Sequence, residues 1–132
     1  VTTGQLRVLV TGSRTINSEG AALVRNKLAQ VCGPVLGRGN TVIIVQGECP
    51  YGGVDRIARD WAEQTDRVVS EGHPADWSKQ GAGPARNARM VALGADLCIA
   101  FPDIHSRGTW DCLRKAAVAG IPGRVYPLGG PR

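Results

Sequence analysis

The chain has 132 residues, of which 42% are hydrophobic and 20% charged. That balance fits a single soluble domain with its own core and excludes a disordered chain. No apolar run approaches the ~20 residues of a membrane span, and no apolar segment follows Val1-Thr2-Thr3-Gly4-Gln5 as a secretory signal requires, so a cytoplasmic location is expected.

The net charge of +5, from 16 Lys and Arg against 11 Asp and Glu, favours anionic partners. The basic residues are scattered, so the same excess also reads as an ordinary solvated surface. Cys32, Cys49, Cys98 and Cys112 show no paired spacing, and His73 and His105 stand apart, so neither a metal site nor a cofactor is expected.

The elements alternate. Leu6–Val10 is the first strand, and Ser18 is placed to cap a helix bearing Ala21, Val24, Leu28 and Val31, stopped by Gly33-Pro34. Thr41–Val45 is apolar after its first residue, as a strand buried on both faces should be. Val54, Ile57, Ala58, Trp61 and Ala62 then recur at helical spacing, which places Trp61 in the core. Arg67–Ser70 is a short third strand near an edge, and Glu71–Gly83 reads as a loop. Pro84 suits the first turn of a helix running to about Leu93 and Gly94, and Leu97–Phe101 is the fourth strand. A last helix starts near Thr109 and ends before Gly120, followed by a strand at Arg124–Tyr126 and a loose tail at Gly129–Arg132. Five strands joined by helices, with no hairpin signal, predict an α/β, Rossmann-like three-layer domain. Its sheet is mostly parallel and five-stranded, with helices on both faces. Such a sheet takes its ligand beyond the carboxyl ends of the strands.

Four loops follow those ends. Thr11-Gly12-Ser13-Arg14 combines a close-approach glycine, a hydroxyl and a guanidinium, although an ordinary turn fits it as well. The loop from Gln46 through Gly47, Gly52 and Gly53 opens into a helix with Asp55 in its first turn. The amides of that helix start suit an anion or a ribose hydroxyl, and equally the glycines shape a loop while Asp55 interacts with the helix dipole. Gly81-Ala82-Gly83-Pro84 leads to Arg86 and Asn87, an unusual string for a plain surface helix. Ser106-Arg107-Gly108-Thr109 offers amides and hydroxyls at a helix start, followed by Asp111 in what reads as its first turn. Ser106 or Thr109 also reads simply as an N-cap. Trp77 either lines a pocket or clamps its loop, and Trp110 lies beside the candidate site. No P-loop and no GxGxxG motif occurs.

These residues resemble the YspA-like (cpYpsA-related) branch of the SLOG superfamily, which is related to the LOG phosphoribohydrolases and to the DNA-processing protein DprA. The resemblance is carried by Thr11-Gly12-Ser13-Arg14, Gly52-Gly53-x-Asp55 with Ala58 and Trp61-Ala62, and Pro74-Ala75-Asp76-Trp77. It continues in Ala82-Gly83-Pro84-x-Arg86-Asn87-x-x-Met90, Ala100-Phe101-Pro102 and Ser106-x-Gly108-Thr109-x-Asp111, spanning about residues 6–126. It implies a Rossmann-like sheet and a nucleotide-type ligand. It also implies that Arg86 and Asp111 match the catalytic Arg and Glu of the LOG enzymes. Here the carboxylate is one methylene shorter and the Gly-rich string is reduced to Ser106–Thr109.

Three functions follow. The first is a nucleotide-binding or sensing module. The second is a hydrolase of the N-glycosidic bond of a nucleoside monophosphate, with Asp111 and Arg86 as catalytic residues. The third is a DprA-like single-strand binder, favoured by the charge and Trp77 and opposed by the absence of a continuous basic stretch. A homo-oligomer is expected from the relatives.

Overall fold

A computed structural model describes residues 4–129, so the tail expectation lies, apart from Gly129, outside the described residues. The elements run β1 (Gln5–Gly12), α1 (Ser18–Gly37), β2 (Thr41–Gln46), α2 (Gly53–Glu63), β3 (Val68–Gly72), α3 (Ala82–Ala92), β4 (Leu97–Phe101), α4 (Arg107–Val118) and β5 (Gly123–Val125). The sheet is parallel throughout, in the order β3-β2-β1-β4-β5.

Alternation along the strands splits the core in two. Val8, Val10, Val42, Ile44, Ile99 and Phe101 face α1 and α2, where they pack with Val24, Leu28, Val54 and Ala58. Leu9, Val45 and Cys98 face the other way, toward Met90 and Val91 of α3 and Cys112 and Ala116 of α4. Successive side chains of a strand point to opposite faces, so strands between two helical layers must be apolar at nearly every position. β4 is buried at all five residues. Cys98 and Cys112 are free, fully buried thiols within this packing.

Several boundaries differ from the sequence reading. β1 extends past Val10 to Gly12, where it pairs with Phe101 of β4. β3 takes in Glu71 and Gly72, α3 begins two residues before Pro84, and β5 lies one residue earlier than expected. Helix α1 does not stop at Gly33-Pro34 but runs on to Gly37. A proline in a helix removes one hydrogen bond and crowds the preceding turn. Here Gly33 and Pro34 are exposed, while Val35 and Leu36 beyond them pack against the first core cluster. Burial of those two side chains offsets the lost bond. Ser18 is not the cap: Asn17 is, its side-chain oxygen accepting from Gly20 N at 2.8 Å. Trp61 is only partly buried, resting on the edge of the first cluster rather than inside it.

Arg7 spans from β1 to β3 and makes a two-armed ion pair with Glu71, near the carboxyl end of β3, at 3.1 and 3.0 Å. His73 sits 2.8 Å from the same carboxylate. Hydrogen bonds from Arg7 and His73 hold the Glu71 carboxyl down at about 2. No described helix is long and apolar enough to cross a membrane.

The cap assignment is directly testable. Asn17→Ala should lower unfolding free energy by about 1 kcal/mol, whereas Ser18→Ala should change it far less, as read by urea denaturation.

Candidate functional site

The strand order reverses direction at β1, between β2 on one side and β4 on the other. A crevice must open there, because the connections leaving the neighbouring strands diverge to opposite faces. A cavity of about 1060 Å³ occupies this position, walled by the loops that follow β1, β2, β3 and β4.

Of the residues singled out in the sequence, Gly12, Ser13, Arg14, Asp55, Arg86, Asn87, Ser106, Arg107, Gly108 and Thr109 line this cavity. Gly47, Gly53 and Asp111 do not. The two glycines act from behind the wall. A side chain on Gly53, whose φ is +61°, would meet the Arg14 Cα at 2.6 Å. Its absence lets the β1 loop lie against the start of α2, where Val54 N donates to Ser13 O at 2.9 Å. A Cβ on Gly47 would fall 2.6 Å from the Arg86 guanidinium carbon. Gly47 therefore leaves the room in which Arg86 Nη1 donates to the Gly47 carbonyl.

Arg86 is also fixed by its neighbour. Its Nε donates to Asn87 Oδ1 at 2.9 Å, and Asn87 Nδ2 donates to Gly108 O at 3.2 Å and to Asp111 Oδ2 at 3.0 Å. Asn87 is buried, so this one amide ties α3 to the start of α4 and links the two residues matched to the LOG pair. Asp111 is the fifth residue of α4, beyond the first turn in which the sequence reading placed it. It is held by Lys115 at 2.8 Å and lies 3.9 Å from Arg114. Burial works against its ionisation, yet the hydrogen bonds from Lys115 and Asn87 outweigh it and keep the carboxyl below its ordinary range.

Asp55 is one of the carboxyls in the wall. Its Oδ2 accepts from Cys49 N at 3.2 Å. Burial pushes it up to about 6, against the opposing pull of Arg86 and of the Cys49 and Gly47 amides. Asp55 is thus poised between its charged and neutral forms near neutral pH, a property common at functional sites. The Ser13 hydroxyl has a structural task as well, lying 2.6 Å from both Asp103 Oδ2 and Thr15 O and so joining the β1 and β4 loops.

The helix starts complete the site. α2, α3 and α4 begin at Gly52, Gly81 and Ser106, none of which gives a side-chain cap. The starts of α3 and α4 line the cavity, whereas α2 meets it through Asp55, its Val54 N already donating to Ser13 O. The Ser106 hydroxyl turns instead to the Asp103 backbone and carboxylate, at 2.9 and 2.8 Å. Among the helices of the described residues only α1, whose capping residue Asn17 lies outside the cavity wall, has a side-chain cap. The wall also gathers Arg14, Lys79, Arg86 and Arg107 against the carboxylates of Asp55 and Asp103. Uncapped helix starts and an excess of cations suit an anionic ligand. Among the described residues, no group of three or more His, Cys, Asp and Glu side chains is placed to hold a metal ion.

Tyr51, Lys79, Asp103 and His105 also line the cavity, and the sequence reading passed over them. Their one signal was position: charged or aromatic side chains within the loops that follow the strands. Trp77 lines the cavity too, its ring close to Gly83, while Trp110 is absent from the wall.

Fold and site together define a doubly wound α/β protein with a loop-built cavity at its switch point. The profile of the YspA, cpYpsA-related SLOG family matches residues 6–80, and the chain belongs to that family. It is 39% identical over 123 residues to Gene 61 protein of Mycobacterium phage D29, an alignment covering 88% of this chain and 92% of that relative. No solved structure gives a significant match.

The raised Asp55 has a consequence for stability. Its folded value of about 6 exceeds the ordinary 3.8, so the folded state holds a proton that the unfolded chain releases. Its stabilising contribution is full below pH ~4 and is lost as pH rises through ~6. Asp55→Asn, neutral throughout, should therefore gain melting temperature relative to wild type between pH 4 and 7. A difference independent of pH would refute the assignment.

Proposed function

We propose that the protein binds a nucleotide or nucleotide-derived small molecule in this cavity, in the cytoplasm. The reading rests on family membership and above all on two uncapped helix starts, those of α3 and α4, lining one cavity with Arg14, Arg86 and Arg107. Phosphate oxygens would take the amides at the start of α4 and the open edge of the Arg86 guanidinium. Arg86 is pre-set by Gly47 and Asn87, so little side-chain freedom is lost when an anion arrives. The ribose hydroxyls fall to Asp55, which in its ionised form accepts from two of them.

One observation favours a second reading, hydrolysis of an N-glycosidic bond: a carboxyl at about 6 stands in the wall of the cavity beside Arg86. In that reading water adds at the anomeric carbon, the carbon–nitrogen bond breaks, and the base leaves with a proton. A carboxyl titrating near the working pH is suited to moving that proton. Asp55 would then carry the acid–base role, and Asp111, committed to Lys115 and Asn87, would position Arg86 through Asn87.

The decisive experiment incubates the protein with AMP, GMP, CMP and UMP and their diphosphates, reading melting temperature and free base on the same samples. Binding predicts stabilisation that is lost in Arg86→Ala, whose charged hydrogen bonds of ~1.5–3 kcal/mol correspond to roughly a 10- to 100-fold loss of affinity. Release of base that disappears in Asp55→Asn establishes the hydrolytic reading. Stabilisation without base leaves a binding module, and no stabilisation by any nucleotide defeats both.

A further inference from the structure

The cavity is larger and more aromatic than a mononucleotide requires. Its volume of about 1060 Å³ stands at the upper limit of the ~300–1,000 Å³ usual for small-molecule pockets. Two large rings stand open in its wall: Tyr51 is 70% and Trp77 58% exposed. An aromatic side chain left in water forgoes a large favourable burial, so two such rings facing one cavity call for an occupant.

The rings come from different places. Tyr51 belongs to the loop between β2 and α2, and Trp77 to the loop between β3 and α3. Helices α2 and α3 pack on opposite faces of the sheet. The two rings thus reach one cavity on loops that lead into opposite helical layers. Each has its own support: Arg14 lies over the Tyr51 ring at 5.3 Å from its centroid, and the Trp77 ring rests near Gly83. Arg14, Arg86 and Arg107 line the same cavity.

We propose that this cavity takes a two-base nucleotide whose halves are joined through a pyrophosphate, one base stacked on Tyr51 and the other on Trp77, with the phosphates held by Arg14, Arg86 and Arg107. The proposal rests on the nucleotide-binding reading and narrows it to a ligand class. A base presents the same flat π-face whatever its identity, so rings select for the number of bases rather than their kind. A pyrophosphate esterified at both ends carries two negative charges and four non-bridging oxygens, acceptors enough for three guanidinium groups. A single nucleic-acid strand would need a basic groove continuing past two nucleotides, whereas these cations line one cavity.

The test is calorimetric titration of the full chain with ADP, diadenosine pyrophosphate, nicotinamide adenine dinucleotide and a ten-residue deoxyadenosine strand. Both two-base compounds should bind at least tenfold more tightly than ADP. Tyr51→Ala and Trp77→Ala should each weaken them by roughly 5- to 100-fold, the measure of one lost base stack. At least one of the two variants should leave ADP affinity unchanged, because ADP has only one base to stack. Trp77→Phe should retain binding, Trp110→Ala should have no effect, and circular dichroism of each variant checks its fold. Equal affinity for ADP and the two-base compounds would overturn the proposal while leaving nucleotide binding intact. Loss of ADP binding in both alanine variants would also overturn it, since the rings would then clamp one base between them. Tighter binding of the strand than of either dinucleotide would overturn it in favour of nucleic acid. Failure of every compound to bind would instead remove the nucleotide reading itself.

Discussion

An α-helix leaves its first backbone N–H groups without partners inside the helix, and this constraint organises one whole end of the molecule. Three of the four helices begin without a side-chain cap, and the parallel topology brings all three starts to the same edge of the sheet. A parallel strand delivers the chain to that edge and the next helix starts there, so the gathering of positive helix ends is imposed by connectivity. What the sequence adds is the choice to leave them uncapped. Gly52 and Gly81 have no side chain to offer, and Ser106 spends its hydroxyl on Asp103. α1, the helix whose cap residue lies away from the cavity, received a conventional Asn.

Close packing behind the wall then fixes the side chains that face the cavity. Gly53 lets the β1 loop meet α2, and Gly47 lets Arg86 reach across to the β2 loop. Asn87 holds Arg86 on one side and α4 on the other. Arg86 is thereby a rigid donor presented to the cavity, while Arg14 and Arg107 remain exposed at its rim. The contrast between the two carboxylates follows from the same packing. Asp111 is held by donors that outweigh its burial, whereas Asp55 is buried deeply enough to outweigh the pull of Arg86 and of the Cys49 and Gly47 amides, and is pushed up to about 6.

The alternation of strands and helices was legible most clearly at β2 and β4, which are apolar almost throughout, and less so in the bounds of β3 and β5, whose residues are mostly exposed or half-buried at the sheet edges. Helix ends were also less legible. Gly33-Pro34 carries every local stop signal, and only tertiary burial of Val35 and Leu36 carries the helix on. At the site, the loop residues Arg14, Arg86 and Arg107 were recognisable as charged groups at strand ends, and the structure places all three in one wall. Gly47 and Asp111 were singled out by pattern, yet their side-chain positions face other groups of the protein and not the cavity. Tyr51 and Lys79 went unread because an isolated ring or ammonium in a loop has no spacing to betray it. Only the fold shows that their loops converge.

The central claim is that the anionic end of a nucleotide sits against the start of α4 and the Arg86 guanidinium. Its most direct test is a titration of the isotopically labelled protein with ADP, following the backbone amides by NMR. The account predicts that the amides of Gly108 and Thr109 and the Nε–H of Arg86 shift together, with one saturation curve, while Gly94 and Gly120 at the opposite end of the sheet stay fixed. Saturable shifts confined to that opposite end, or spread over the surface without saturation, would contradict it.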